Sequence, residues 1–241
     1  MDFGKIFLRA LKYPLNLQVF VLLLVVNVLV SYSGFYLTAL TNPSNVSSLL
    51  ALSLSLIPVL IASVLIIIFL MALYIDNAAR YFAGKRTSLL ASMPAAKKKF
   101  LRLLGTYVLM MAIFIVFLVL SIAVVSPLLV MIGLAALVVA AFFISLAPYI
   151  AVLDKFGVFG SIRASIRVVK KNKLNMLVFW IVYLVLSIII GLLSLPITLG
   201  YALSPASVDP ATLILQSLIS TYTALFAYSA FTNFYLSVRK K

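Results

Sequence analysis

The sequence contains no cysteine, no histidine and no glutamate, and its acidic residues are Asp2, Asp76, Asp154 and Asp209. Without cysteine, neither disulfides nor thiolate ligands can form. Without histidine and cysteine, the usual zinc sites and the Ser-His-Asp and Cys-His catalytic arrangements are excluded. Four scattered aspartates are also a poor source of general acids and bases. The residue inventory therefore predicts a protein that is not an enzyme and that uses no metal or other cofactor.

Positive charge, in contrast, is abundant: 19 Lys and Arg residues against four acids give a net charge of +15. In a soluble protein such a charge would suggest nucleic acid. Here 66% of the residues are apolar, far above the roughly 45–50% of soluble domains. The Lys and Arg residues fall in four clusters, within residues 5–12, 80–102, 155–173 and 239–241. We therefore expect membrane lipids as partners, and no nucleic acid.

Between consecutive clusters lies an apolar stretch long enough to cross a bilayer and return, and the turns opposite the clusters carry no Lys or Arg. Because short loops rich in Lys and Arg stay in the cytoplasm, all four clusters are predicted on that side, together with both termini. A span needs about 20 apolar residues. The chain is thus predicted to be an all-α integral membrane protein of the cell membrane, one domain over residues 1–241. Its predicted elements are an interfacial helix over residues 3–13 and six spans at about 17–40, 49–75, 103–126, 128–153, 174–202 and 211–236.

An internal repeat relates the second and third basic clusters. A shift of 73 residues aligns residues 84–104 with 157–177, and eight of the 21 aligned residues are identical. The identical pairs are Gly84/Gly157, Ser88/Ser161, Ala91/Ala164, Ser92/Ser165, Lys97/Lys170, Lys98/Lys171, Leu101/Leu174 and Leu104/Leu177. Such self-similarity predicts two duplicated parallel hairpins, spans 2–3 and spans 4–5, related by an axis along the membrane normal.

Each repeated segment is predicted to form an amphipathic basic helix at the cytoplasmic leaflet. In the second copy an apolar face carries Phe159, Ile162, Ile166 and Val169, with basic residues opposite. The residues predicted to contact anionic lipids are Lys97, Lys98, Arg102, Arg163, Arg167, Lys170 and Lys171. The alternative is that the cations merely anchor the helices, and that no specific phosphate-bearing ligand is bound.

These segments carry a family resemblance. Residues 147–154 read APYIAVLD, residues 157–165 read GVFGSIRAS, and residues 170–172 read KKN. This pattern resembles the prokaryotic six-helix membrane domains found alone or fused to glycerophosphoryl diester phosphodiesterases, with an echo in residues 84–104. The resemblance implies the six-helix architecture. It brings no hydrolytic activity, because no phosphodiesterase domain is present, and no catalytic residues.

Polar residues within the spans are few, and the middle of each predicted span lacks charge. Asp76 and Asp154 close spans 2 and 4, where a carboxylate opposes the helix dipole, so each is predicted to form a structural ion pair. Arg80, or a basic residue from the other hairpin, is the expected partner. The remaining intramembrane polar residues singled out are Asn27, Gln216, Ser220, Thr223 and Asn233. They indicate either hydrogen bonds between helices or a path for a solute.

The sequence supports two functional hypotheses from different classes. The first is a non-catalytic membrane protein that contacts anionic lipids through its cytoplasmic face and organises the membrane or assembles an unidentified membrane partner protein. The second is a transporter or flippase for a lipid or a weakly polar solute. A membrane enzyme of lipid metabolism is disfavoured, since the usual general bases are missing.

Overall fold

The computed structural model describes residues 2–13, 18, 20–29, 46–85, 88–122, 127–203 and 210–239. Within these ranges the chain is helical and forms no strand. The helices are α1 (Phe3–Lys12), α2 (Phe20–Leu29), α3 (Val46–Phe82), α4 (Leu89–Ile122), α5 (Pro127–Ile144), α6 (Ala147–Leu153), α7 (Val158–Lys171), α8 (Lys173–Leu203) and α9 (Pro210–Arg239). Much of the predicted first span, at about 17–40, lies outside the described residues.

Five helical segments among the described residues are long and apolar enough to cross a membrane. They are Ile61–Phe82, Leu89–Val119, Val130–Leu153, Lys173–Ile190 and Ala211–Arg239. In α4, Val108, Met111, Ile115 and Val119 form a stripe whose side chains are all more than half exposed. A continuous apolar stripe of this kind suits contact with lipid. The chain is therefore a multi-pass membrane protein, and five of the predicted spans overlap these segments, although Ile61–Phe82 and Leu89–Val119 begin more than ten residues away from the predicted starts at 49 and 103.

The fourth predicted span is interrupted. Helix α5 ends at Ile144, and α6 begins at Ala147 with a proline in its first turn. Proline is tolerated there because the first backbone N–H groups of a helix have no partner inside it. Ser165 donates its hydroxyl hydrogen to the Phe143 carbonyl at 2.8 Å, which satisfies an acceptor at the end of α5.

The residues group into two compact units, of which the first contains Met71–Leu177 and Phe231–Lys241. Its core includes Met110, Ile144, Ala147 and Ile162. The short helix α6 is almost entirely buried in this unit, and the ring of Tyr149 stacks on Phe231 with 5.4 Å between the centroids. Short helices rarely persist alone, so this packing is what stabilises α6.

The second unit contains Asp2–Leu70 and Val178–Ala230. Asp2 caps α1 by accepting the Lys5 N–H at 3.1 Å, and this hydrogen bond lowers the pKa of the Asp2 carboxyl. The apolar face of α1 packs on protein: Phe7 stacks on Phe179 at 5.3 Å, and the Ser229 hydroxyl donates to the Ala10 carbonyl at 3.0 Å. The basic residues of α1 remain exposed, as expected for a helix whose polar side faces headgroups.

The two segments of the predicted repeat differ at both ends of their helices. The helix of the second segment begins at Val158, whereas that of the first begins at Leu89, which aligns with Ile162. The second segment forms a separate helix, α7, which ends at Asn172 before α8 begins. The first continues without a break from Leu89 through Lys97–Lys99 to Ile122. Asn172 donates its amide to the Val168 carbonyl at 3.0 Å, so its side chain competes with the helix for backbone groups. The aligned position holds Lys99, which favours helix continuation.

Candidate functional site

A cavity of about 620 Å³ opens in the first unit between the end of α6, one face of α7 and the last turns of α9. Its walls combine apolar side chains with a concentration of charge. The polar lining residues are Asp154, Lys155, Arg167, Lys171, Asn172, Tyr235 and Arg239. The apolar lining residues are Leu153, Phe156, Ala164, Val168 and Val238. We call this space the basic cavity.

Helix α7 presents only part of its positive charge to the basic cavity. Arg167 and Lys171 are four residues apart and therefore lie on the same helix face, which lines the cavity. Arg163 and Lys170 are exposed and do not line it, although both were predicted as lipid contacts. At 100° per residue, Arg163 and Lys170 point about 60–80° away from the mean direction of Arg167 and Lys171. The structure thus divides the four predicted cations into two pairs.

Asp154 holds the cavity wall together. Its carboxylate lies 2.7 Å from the guanidinium of Arg239 and accepts the hydroxyl hydrogen of Tyr235. The two partners are four residues apart, in the last turns of α9. The predicted ion pair of Asp154 is therefore made with the C-terminal basic cluster and not with the other hairpin.

Arg102 also acts on the end of α6. Its Nη1 donates to the Asp154 carbonyl at 2.8 Å and to the Ala151 carbonyl at 3.5 Å. These carbonyls belong to the last turn of α6, where acceptors lack partners inside the helix and carry the negative end of its dipole. Arg102 was predicted to contact lipid, but the structure places its guanidinium on protein carbonyls and does not include it in the cavity lining.

The charges that line the basic cavity are unbalanced. Lys155, Arg167, Lys171 and Arg239 contribute four positive charges and Asp154 contributes one negative charge, so four minus one leaves +3. All four cations are solvent-exposed, so their attraction for an anion weakens as salt rises. Guanidinium and ammonium groups are the preferred protein donors to phosphate and carboxylate oxygens. The arrangement is therefore suited to hold an anion.

Asp76, the other predicted ion-pair residue, lies at a separate place in the first unit. It is 8% exposed and pairs with Nε of Arg80 at 2.7 Å and with Nζ of Lys99 at 3.5 Å. Lys97 and Lys98 are exposed on α4. Lys99, which sequence reasoning did not single out, thus turns inward to a carboxylate while its two neighbours point outward.

The predicted intramembrane polar residues of the second unit are found along α9 and α2. The Asn27 amide donates to the Thr221 hydroxyl at 2.8 Å, so its partner is a residue that sequence reasoning missed. Ser220 and Thr223 donate to carbonyls of their own helix. In the first unit, Asn233 is buried at 9% exposure.

A smaller cavity, of about 390 Å³, lies in the second unit between α8 and α9. Its lining includes the predicted residues Gln216, Ser220 and Thr223, together with Tyr183 and Ser187 of α8. The lining carries no formal charge. Such a space suits an uncharged group that can form hydrogen bonds.

Comparison of the chain with protein-family models, with curated proteins and with solved structures finds no match. The resemblance of residues 147–177 to the six-helix membrane domains therefore stays a prediction from the sequence.

Sequence reasoning missed Lys155, Tyr235 and Arg239 as members of the basic cavity. A signal was present for two of them: Tyr235 and Arg239 share one face of the last turns of α9. Their contact with Asp154, however, joins residues that lie about 80 positions apart in the sequence, so local patterns do not predict it.

Proposed function

We propose that this protein is a six-span, non-catalytic membrane protein whose basic, cytoplasmic face binds anionic lipids, and that it organises the membrane or assembles a partner protein there. In this proposal both termini are cytoplasmic, and the membrane is the cell membrane. The observation that carries it is the basic cavity, which is lined by four cations and one carboxylate together with Asn172, Tyr235 and five apolar side chains.

The composition of the cavity supports the proposed threading of the chain. Lys155, Arg167 and Lys171 belong to the third basic cluster, whereas Arg239 belongs to the fourth. Two clusters that are distant in sequence thus meet at one cavity, as expected if both lie at the same face of the membrane. A cytoplasmic leaflet rich in anionic lipid attracts such residues, with about 1 kcal/mol for each cation near the surface.

Burial supports the proposed duplication. Under the shift of 73 residues, Ser92 and Ser165 are both fully buried, and so are the aligned pairs Ala96/Val169 and Leu103/Met176. Leu101 and Leu174, in contrast, are both strongly exposed. The two segments therefore present equivalent faces to their surroundings, although only the second ends at Asn172.

Lipid retention tests the proposal. The double variant Arg167→Gln/Lys171→Gln should lose anionic lipid during gentle purification, because two of the four cavity cations are gone. The matched control is Arg163→Gln/Lys170→Gln, which removes the same charge from the same helix outside the cavity. Mass spectrometry of co-purified lipids measures both. Equal retention by the wild type and both variants would overturn the proposal.

Labelling tests the threading independently. A reagent that reacts with amines and does not cross membranes should leave Lys97–Lys99 and Lys170–Lys171 unmodified in intact cells and modify them after permeabilisation. Modification in intact cells would place the basic clusters outside, where the cytoplasmic leaflet cannot be their partner.

A second candidate function is movement of a lipid or weakly polar solute, and the cavity beside Gln216 favours it. If that space belongs to a path, Gln216→Leu should abolish flux in liposomes, because it removes an amide from the lining. The control is Ser237→Ala on the same helix, a residue outside the cavity. Flux that is equal in the wild type, in Gln216→Leu and in protein-free liposomes would refute this candidate.

A further inference from the structure

We infer that the basic cavity selects a phosphate monoester in its dianionic form over the phosphate diesters that most anionic lipids carry. The inference rests on the proposed function, since it concerns the same site, but it goes beyond general contact with anionic lipid. It assigns a ligand class to a specific space.

Charge complementarity is the first reason. The lining carries a net charge of +3, from Lys155, Arg167, Lys171 and Arg239 against Asp154. A phosphate diester contributes one negative charge, whereas a monoester carries about −1.5 to −2 at neutral pH. The monoester therefore neutralises more of the excess positive charge, and the difference should be largest at low salt.

The placement of the cations is the second reason. They come from three sides of the cavity: Lys155 follows α6, Arg167 and Lys171 lie on α7, and Arg239 lies at the end of α9. A phosphate monoester has three terminal oxygens and is joined to the rest of the ligand by one ester bond. A phosphate diester has two terminal oxygens and needs room for two ester substituents. Cationic donors on three elements around one space suit the group with three free oxygens.

The size and rim of the cavity indicate how the rest of the ligand is accommodated. A volume of about 620 Å³ lies within the range of about 300–1,000 Å³ that holds a whole small molecule. The apolar lining residues include Phe156, which is 47% exposed, and Val238. These side chains suit the glycerol and upper acyl region of a phosphatidate-like lipid. A free phosphate monoester presents the same head chemistry, and the experiment distinguishes the two sources.

Binding is tested with the full-length protein in phosphatidylcholine nanodiscs that contain one-tenth phosphatidate or one-tenth phosphatidylglycerol. Lipid enrichment at the protein is quantified by mass spectrometry after extraction. At pH 7.5 we expect the wild type to enrich phosphatidate at least about tenfold over phosphatidylglycerol, because of the additional charge. The Arg167→Gln/Lys171→Gln variant should lose this preference, and Arg163→Gln/Lys170→Gln should keep it.

Lowering the pH to 5 supplies a test of charge state. The second ionisation of a phosphate monoester has a pKa of about 6, so phosphatidate loses its second charge while phosphatidylglycerol keeps its only one. The groups that face the ligand are Lys155, Arg167, Lys171, Arg239, Asp154 and Tyr235. Both lipids meet the same protein groups at each pH. The ratio of the two enrichments therefore reports mainly the change in charge of the phosphatidate headgroup. That ratio should fall toward one.

The outcomes separate the inference from the proposed function. Equal enrichment of the two anionic lipids, lost only in Arg167→Gln/Lys171→Gln, would overturn the inference and leave the proposed function standing. No enrichment of either lipid would overturn both. Soluble glycerol 3-phosphate that displaces phosphatidate at millimolar concentration would identify a free monoester as the ligand. Failure to displace it would identify the lipid.

Discussion

Replacing Asp154 with Asn should destabilise the protein while it tightens the binding of a phosphate monoester. Asn keeps the shape of the side chain but removes the negative charge, which pairs with Arg239 and accepts the hydroxyl hydrogen of Tyr235. The contact between the end of α6 and the last turn of α9 is thereby weakened. At the same time the net charge of the cavity rises from +3 to +4, because its only lining carboxylate is lost.

The magnitude follows from the burial of the two partners. The Asp154 side chain is 9% exposed and that of Arg239 is 49% exposed, so solvent screens the pair only in part. A fully exposed pair contributes about 0.2–1 kcal/mol. A hydrogen bond to a charged group contributes about 1.5–3 kcal/mol. For this intermediate case we expect Asp154→Asn to lower the free energy of unfolding by about 1–2 kcal/mol.

The measurement is unfolding by sodium dodecyl sulfate in mixed micelles, followed by the fluorescence of the single tryptophan, Trp180. Asp2→Asn is the matched control, since Asp2 is exposed and Asn is an equally good helix cap. Arg239→Gln, alone and combined with Asp154→Asn, completes a double-mutant cycle. A coupling energy of zero would refute the ion-pair reasoning, and weaker phosphatidate binding by Asp154→Asn would refute the electrostatic reasoning for the cavity.

Three further substitutions test the packing that positions the site. Gly105→Ala would bring a Cβ within 2.8 Å of Val158 and should lower the free energy of unfolding by up to about 2 kcal/mol, as measured from unfolding midpoints. In a Val158→Ala background the same change should be neutral or stabilising, because the contact is absent and Ala favours the helix. Ser165→Ala should lower the free energy of unfolding by about 1–2 kcal/mol in the same assay, because it leaves the Phe143 carbonyl without its donor. A loss no larger than that of the surface variant Lys98→Ala would contradict this. Asn27→Leu should lower the free energy of unfolding by about 0.6–2 kcal/mol, because it removes the hydrogen bond to Thr221. The loss in the double variant with Thr221→Val should be smaller than the sum of the two single losses. Full additivity would show that the hydrogen bond contributes nothing.

Five of the spans were predictable because apolar length is a local property of the chain. The break between α5 and α6 was missed, although Pro148 lies at the start of α6 and is a known signal for a helix beginning. Residues 128–153 were read as one span since their apolar character is unbroken. Pro148 has no N–H for the Ile144 carbonyl and its ring would clash with that carbonyl in a continuous helix, so the break has a local cause. The tertiary part is the Ser165 hydroxyl of α7, which supplies a donor to the Phe143 carbonyl. A donor 22 residues away cannot be assigned from periodicity.

The two segments related by the 73-residue shift carry Asn172 and Lys99 at the same aligned position, and this difference coincides with a helix end. Identity between the copies predicts the same structure for both, yet the second copy stops at Asn172 and the first continues through Lys99. Asn has a side chain that bonds nearby carbonyls and so favours a helix end, whereas Lys does not. The difference was readable from the sequence, but only by comparing the aligned positions that are not identical.

The rotation of α7 decides which cations face the cavity, and it depends on serine in the core. The apolar face read from the sequence passes through Phe159, Ile162, Ile166 and Val169 and was predicted to lie against the membrane. The residues buried against protein are Ser161, Ile162, Ser165 and Val169, while Phe159 stays 71% exposed. This face is turned by about 60° from the predicted one. Small serines allow the close approach in which Ser165 bonds Phe143. The same rotation turns Arg167 and Lys171 toward α9 and leaves Arg163 and Lys170 outside, a distinction that hydrophobic periodicity alone cannot make.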